Sequence, residues 1–285
     1  MKNLQIGKLN KLTVLKNLSF GLYLDGGDLE EILLPRKYVP ENVDIGDTIE
    51  VFVYFDSKDI IIATTEEPYA CVGDFAYLKV VSTNSIGAFL DWGLIKDLFV
   101  PFREQKNALE KDKYYPVYIY FDKKSRRIAG TTRIRRYLDK EPVNYKVNEE
   151  VDLFIYGEEE IGYQAIINGK HEGLLYKNEV FKPLKLGRHL KGFIKKLRED
   201  EKIDLCLEKP GYEKVGGLAE DILKELHKQG GSLNITDKCS PEVIYSTFNV
   251  SKKNYKKAVS ALYKQRLILI DDKGIRLTIK AKFKK

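Results

Sequence analysis

The chain has 285 residues, 43% of them hydrophobic and 32% charged, which is long for one core and comfortable for two to four small domains. No run approaches 18 apolar residues, the start "MKNLQIGKLNKL" lacks the apolar core of a secretory signal, and three distant cysteines make no disulfide framework; these features argue against a membrane span and export and fit a reducing cytoplasm. The net charge of +7 is unevenly placed: Tyr212–Lys285 carry 16 Lys+Arg against 8 Asp+Glu, and the rest carries 33 against 34. A basic module on a neutral body points to a polyanionic partner, with a solvated lysine-rich surface as the alternative.

From Gly7 onward the chain repeats itself. With a shift of 66 residues, Gly7–Thr65 falls on Gly73–Thr131 with 17 of 59 positions identical, among them Gly21/Gly87, Asp25/Asp91, Pro35/Pro101 and Tyr54-Phe55-Asp56/Tyr120-Phe121-Asp122. A shift of 141 brings in a weaker third copy, with Gly21 on Gly162 and Gly46 on Gly187. The body is therefore expected to be three copies of one module. Each copy reads as β. In "IEVFVYFD", Ile49, Val51, Val53 and Phe55 alternate with Glu50, Phe52, Tyr54 and Asp56, the period of a strand with one face inward. In copy two Tyr115, Val117, Ile119 and Phe121 take the inner face, as do Leu190, Gly192 and Ile194 in copy three. Turn signals at Asp25-Gly26-Gly27, Trp92-Gly93, Asn168-Gly169 and Ile45-Gly46-Asp47 bound the runs. Five short strands with a long connection between the third and fourth predict a closed Greek-key barrel of the OB kind.

The outer face of the fourth strand then carries Phe52 and Tyr54, Tyr118 and Tyr120, and Lys191, Phe193 and Lys195. Rings on an open barrel face stack single-stranded bases, each contributing about 1–3 kcal/mol. The alternative is that these rings pack against a neighbouring barrel or a loop. The basic joint "TTRIRRYLDK" (Thr131–Lys140) reads equally as an extra phosphate contact or a solvated helical turn.

After Lys209-Pro210-Gly211 the period becomes helical, with Leu218, Ile222 and Leu226 in register. Ser240-Pro241 starts a second helix, and Ser251 caps a third, "KKNYKKAVSALYKQ". Tyr255, Ala258, Val259 and Leu262 form its buried stripe. Lys253, Lys257 and Lys264 lie on the opposite side, with Lys252 and Lys256 flanking. A hairpin turning at Asp271–Gly274 follows, and three helices plus a hairpin predict a winged helix. Its lysines suit phosphates and carry no base readout; protein docking and an inert surface are the other readings.

The stretch "SIGAFLDWGLIKDLFVPFRE" (Ser85–Glu104) resembles the second and third strands of an S1-type RNA-binding domain. The resemblance puts Phe89 at the base-stacking position, with Tyr23 its equivalent in copy one and Phe20 at the aromatic position before the glycine. Copy three has Gln164 in that slot with Tyr163 beside it. Where the S1 pattern has a histidine, copies one and two have Pro35 and Pro101, and copy three has Tyr176. The whole chain, most clearly "GYQAIINGKHEGLLYKNEVF" and "VSKKNYKKAVSALYKQRLI", is similar to the CvfB/YitL family of bacterial S1-like RNA-binding proteins. The fold so implied is mainly β with a C-terminal α+β module: S1-like OB barrels over 1–66, 70–133 and 145–209, then a winged helix over 212–285. Membership implies a cytoplasmic protein that binds RNA and regulates gene expression after transcription.

No GxxxxGK[ST], HExxH or GxSxG motif is present, and three histidines without a CxxC give no metal-ligand constellation, so neither enzyme chemistry nor a cofactor is expected. The acidic runs Glu158-Glu159-Glu160 and Glu199-Asp200-Glu201 fall in predicted hairpin turns, where they keep the tips solvated. The expected partner is single-stranded RNA. Two alternatives stand beside it: a DNA-binding transcription regulator, and an adaptor docked on the ribosome or RNA polymerase.

Overall fold

A computed structural model describes residues 4–140, 144–177, 180, 183–208, 214–236, 238–248, 250–271 and 274–278. The expected joint at Lys209-Pro210-Gly211 and the tip of the last hairpin lie outside the described residues.

The first barrel is built from β1 (Leu9–Leu18), β2 (Gly21–Asp25), β3 (Glu31–Pro35), β4 (Thr48–Phe55) and β5 (Ile61–Thr64), closed in the order β1-β2-β3-β5-β4. Antiparallel pairing of β1 with β4 and a parallel pairing at Leu33 and Ile62 complete the circle. The second unit has β6 (Phe75–Thr83), β7 (Gly87–Asp91), β8 (Leu98–Pro101), β9 (Tyr114–Asp122) and β10 (Arg127–Thr131), in the sheet order β10-β9-β6-β7-β8. Its two edges meet through side chains: a Cβ on Gly130 would stand 2.9 Å from Val100 and 3.0 Å from Leu98. The third, β11 (Glu150–Glu158), β12 (Gly162–Ile167), β13 (His171–Tyr176), β14 (His189–Leu197) and β15 (Ile203–Cys206), closes like the first.

Two local devices recur at equivalent positions. The first strand of each barrel shifts register at Val14/Lys16, Val80/Ser82 and Ile155/Gly157, a bulge that bends the strand for closure. Gly21, Gly87 and Gly162 sit so close to the facing strand that a Cβ would meet a carbonyl oxygen at 2.3, 2.4 and 2.3 Å. A side chain there would part the strands, which is why the glycine returns in every copy. The barrel interiors are filled by alternating aliphatic residues such as Leu22, Leu24 and Val53, all fully buried.

The C-terminal module runs α1 (Lys214–Lys228), β16 (Ser232–Leu233), α2 (Pro241–Phe248), α3 (Lys252–Lys264), β17 (Ile268–Asp271) and β18 (Gly274–Leu277). It has the three helices and hairpin expected of a winged helix, and β16 adds a third strand beside β18. Leu218, Ile222, Leu226, Tyr255, Ala258, Val259 and Leu262 are all buried in its core. The Ser251 hydroxyl caps α3 by accepting from the Asn254 amide at 3.2 Å.

Candidate nucleic-acid interface

Several aromatic residues expected on open faces are instead covered. Phe52 and Tyr54 are 0% and 3% exposed, because barrel 2 sits on that side of β4. The Phe52 ring meets Trp92 edge-on at 5.8 Å, and Phe55 stacks against Phe121 at 6.4 Å. Around this seam the Lys96 ammonium donates to the Asp56 carbonyl at 2.5 Å and to Asp59 at 3.0 Å, and Arg127 also pairs with Asp59. Burial and the neighbouring Tyr38 push the Tyr54 hydroxyl above its ordinary pKa. The expectation that Phe52 and Tyr54 are free to stack on bases is thus corrected: from Val51 to Tyr54 both faces of β4 are packed, and Tyr54, 3% exposed, only borders the cleft described below.

Tyr118 and Tyr120 are half-buried for a different reason. Tyr137, from the joint after barrel 2, stacks on both at 4.3 and 5.4 Å, and Phe75 lies 4.8 Å from Tyr118. Burial, then Glu104, raises the Tyr120 hydroxyl to about 12. Their face is covered by the joint, although Tyr120 still borders the cleft described below. Tyr163 is the third correction. At 5% exposed it belongs to the core of barrel 3, on the inward register that Leu22 and Ala88 occupy in the other barrels. The outward slot holds Gln164, itself buried and donating its side-chain amide to Glu159.

What stays open is a cleft of about 650 Å³ beside the seam of barrels 1 and 2. Phe89 lines it from β7 and Phe99 from β8, their rings 5.2 Å apart and tilted. Ile86 and Phe102 at its edge are 59% and 51% exposed. Its charged lining is mixed: Lys96, Arg103 and Arg127 stand beside the carboxylates of Asp59, Asp97 and Asp122. Phe99, Phe102 and Arg103 were missed by the sequence reading; the signal was present in "LFVPFRE", where outward Phe99 alternates with buried Leu98 and Val100. In barrel 1, Phe20 is exposed and stands edge-on to Tyr23 at 6.1 Å, with the Lys16 ammonium 6.0 Å from the Tyr23 ring. In barrel 3 the Lys195 ammonium lies 5.8 Å over Tyr176, whose hydroxyl donates to Asp204 at 3.3 Å, and Lys191 pairs with Asp152 at 2.7 Å.

On α3 the side chains of Lys253, Lys256, Lys257 and Lys264 are exposed. Lys252 is half-buried and donates to the Cys239 carbonyl at 3.0 Å, which ties it to the domain rather than to solvent. Among the described residues no group of three or more His, Cys, Asp or Glu side chains could hold a metal. The acidic turns are ion-paired: Glu158 with Lys177, Glu159 with Arg135, and Asp200 with Arg198 and Lys202. No described helix is long and apolar enough to cross a membrane.

Family models place this architecture. The S1 domain matches residues 6–66 and 72–132, and the CvfB-like winged helix domain matches 220–277. The protein YitL of Bacillus subtilis is 25% identical over 275 residues, covering 90% of this chain and 89% of that one. Conserved virulence factor B of Staphylococcus epidermidis is 25% identical over 284 residues, 96% of this chain and 95% of that one. The chain belongs to the CvfB/YitL family. A solved multidomain protein with nucleic acid binding domains from Streptococcus pneumoniae is similar at 24% identity and a TM-score of 0.42, covering 96% of this chain and 98% of that one. The S1 and winged-helix domains of the CvfB/YitL family are nucleic-acid-binding modules rather than enzymes, and they support nucleic-acid binding and a regulatory role for this chain. Barrel 3 shares with the two matched S1 domains the strand order, the bulge and the close glycine.

Proposed function

We propose that this chain is a non-enzymatic, cytoplasmic RNA-binding protein that regulates gene expression after transcription. Single-stranded bases stack in the cleft at Phe89, Phe99 and Phe102, and the lysines of α3 anchor phosphates. The observation that carries the reading is the pair of outward rings on β7 and β8, open to solvent and flanked by Arg103 and Arg127. A single strand offers a π-face at every base, whereas a duplex hides its bases from a cleft of this kind. Phe20 and Tyr23 on barrel 1, and Tyr176 with Lys195 on barrel 3, are smaller platforms of the same chemistry. Lysines on α3 act as point charges, so their contribution is salt-sensitive and indifferent to sequence.

The test is equilibrium binding of the whole protein to a single-stranded RNA and to duplex DNA of equal length across a salt series. Single-stranded RNA should bind more tightly, and Lys253→Gln with Lys257→Gln should flatten the salt slope without reversing that preference. A preference for duplex DNA would replace this reading with a transcription regulator. Binding to neither, at moderate salt, would direct attention to a protein partner.

A further inference from the structure

Arg135 and Arg136 are consecutive in the 3-10 turn that leads from barrel 2 to barrel 3, yet their surroundings differ. Arg135 donates from Nε to Glu172 at 3.0 Å, and the Tyr156 hydroxyl donates to the same carboxylate. It also approaches Glu159 at 3.6 Å, so this guanidinium rivets the joint to barrel 3. Among the described residues the carboxylate that Arg136 approaches is Glu104, at 3.8 Å, which is too long for a hydrogen bond, and 58% of the Arg136 side chain is exposed.

The joint is folded back onto barrel 2. Arg133 donates from Nε to the Arg103 carbonyl at 2.9 Å, and the Thr132 amide donates to the Glu104 carbonyl at 3.0 Å. The turn Ile134–Arg136 therefore lies against the turn Phe102–Glu104, whose Phe102 and Arg103 line the aromatic cleft. Arg103 is 72% exposed and meets Asp122 and Glu104 only at 3.6 and 4.0 Å. Glu104 is mostly buried, and its Oε2 has no hydrogen-bond partner. Neither carboxylate holds these two guanidinium groups in a close bidentate pair.

We infer that Arg103 and Arg136, braced by Arg133, form a phosphate-binding ridge at the rim of the cleft, gripping the backbone of the single-stranded RNA whose bases stack on Phe89. The inference rests on the reading of the cleft given above. A guanidinium suits this task because its planar fork meets a phosphate in two parallel hydrogen bonds. A phosphate bound there exchanges a long approach to a carboxylate for a direct charged contact. The joint between barrels is then part of the binding surface as well as a connector.

The experiment compares the salt dependence of single-stranded RNA binding for the whole protein and for two double variants, Arg103→Gln with Arg136→Gln and Arg103→Lys with Arg136→Lys. Each phosphate contact to a single strand steepens the slope of log K against log salt by about 0.7. The glutamine pair should flatten the slope by about 1.4, so the affinity lost between 50 and 200 mM salt is about sevenfold smaller than in the wild type. The lysine pair should restore most of the slope, and both variants should melt with the wild type. A wild-type slope in the glutamine pair overturns the ridge and leaves the cleft standing. Equal loss of slope in both pairs, accompanied by lower melting temperatures, also overturns it, because the arginines would then be structural. Failure of the wild type to bind single-stranded RNA overturns the cleft reading together with the ridge.

Discussion

Barrels 2 and 3 present the same strand to their surroundings in opposite ways. On β7 the outward Phe89 opens into the cleft, whereas all six residues of β12 are buried. Ile166 on β12, 1% exposed, packs with Ile134, Leu138, Phe154 and Tyr156 into a second apolar cluster against Phe75 and Tyr77 of barrel 2. Gln164, at the slot where barrel 2 has Phe89, is turned onto Glu159. One barrel leaves this face open to a cleft and the other packs it against a neighbour. Copies of a fold are therefore not copies of a surface: what covers a strand decides whether its outward side chains are open to a partner or closed in a seam.

The largest effect expected from testing this contrast is on stability. Ile166→Ala should cost about 2–5 kcal/mol, since it empties a packed site between two barrels, and denaturant unfolding will read it. An unchanged unfolding midpoint would mean that the barrel 2–3 seam is not held by this cluster. Next in size is the ligand side of the comparison. Phe89→Ala should weaken single-stranded RNA binding by about 1–3 kcal/mol while leaving unfolding nearly unchanged, whereas Gln164→Ala should hardly alter RNA affinity. Equal losses of affinity at Phe89 and Gln164 would erase the distinction between the two faces.

Much of this was legible in the sequence, because a barrel's interior is set by local rules. The glycines at 21, 87 and 162 recur where two strands touch, and the period of two marks the inward residues, so barrels and repeats could be read directly. The winged helix was equally plain from the Ser251 cap and the stripe Tyr255, Ala258, Val259 and Leu262, although two-residue β16 left no pattern to find. The candidate site was legible only in part. Phe89 was reached through its place in an S1-like strand, and it lines the open cleft. Phe52, Tyr54 and Tyr163 look no different in sequence from exposed rings. Phe52 and Tyr54 are hidden by a neighbouring barrel, and alternation along one strand carries no information about what docks on its outer side. Tyr163 follows directly after its glycine, where an error of one residue in register exchanges the inside of a barrel for the outside.

The smallest expected effect concerns the other seam, between barrels 1 and 2, whose rim is charged. The hydrogen bond from Lys96, followed by that from Arg127, holds the Asp59 carboxyl below its ordinary pKa of 3.8. A depressed folded-state value means that this contribution to the seam is fully present above the ordinary value and is lost as pH falls through the folded one. Asp59 is partly exposed and its pairs are screened by water and salt, so the change should be modest. It has a specific reporter. Trp92 is the chain's one tryptophan, it packs on Phe52 at the seam, and its indole N–H donates to the Lys96 carbonyl at 2.6 Å. Its emission should shift as pH falls below about 4, by less in high salt, and Asp59→Asn should remove the shift by making the seam independent of pH in this range. The same variant frees Lys96 and Arg127, both on the cleft wall, so it should slightly tighten single-stranded RNA binding at low salt. A Trp92 signal that stays flat in the wild type would show that the apolar contact between Phe52 and Trp92 holds this seam alone. The two seams of barrel 2 would then be alike in kind, and the charge around Asp59 would belong to the cleft rather than to the join.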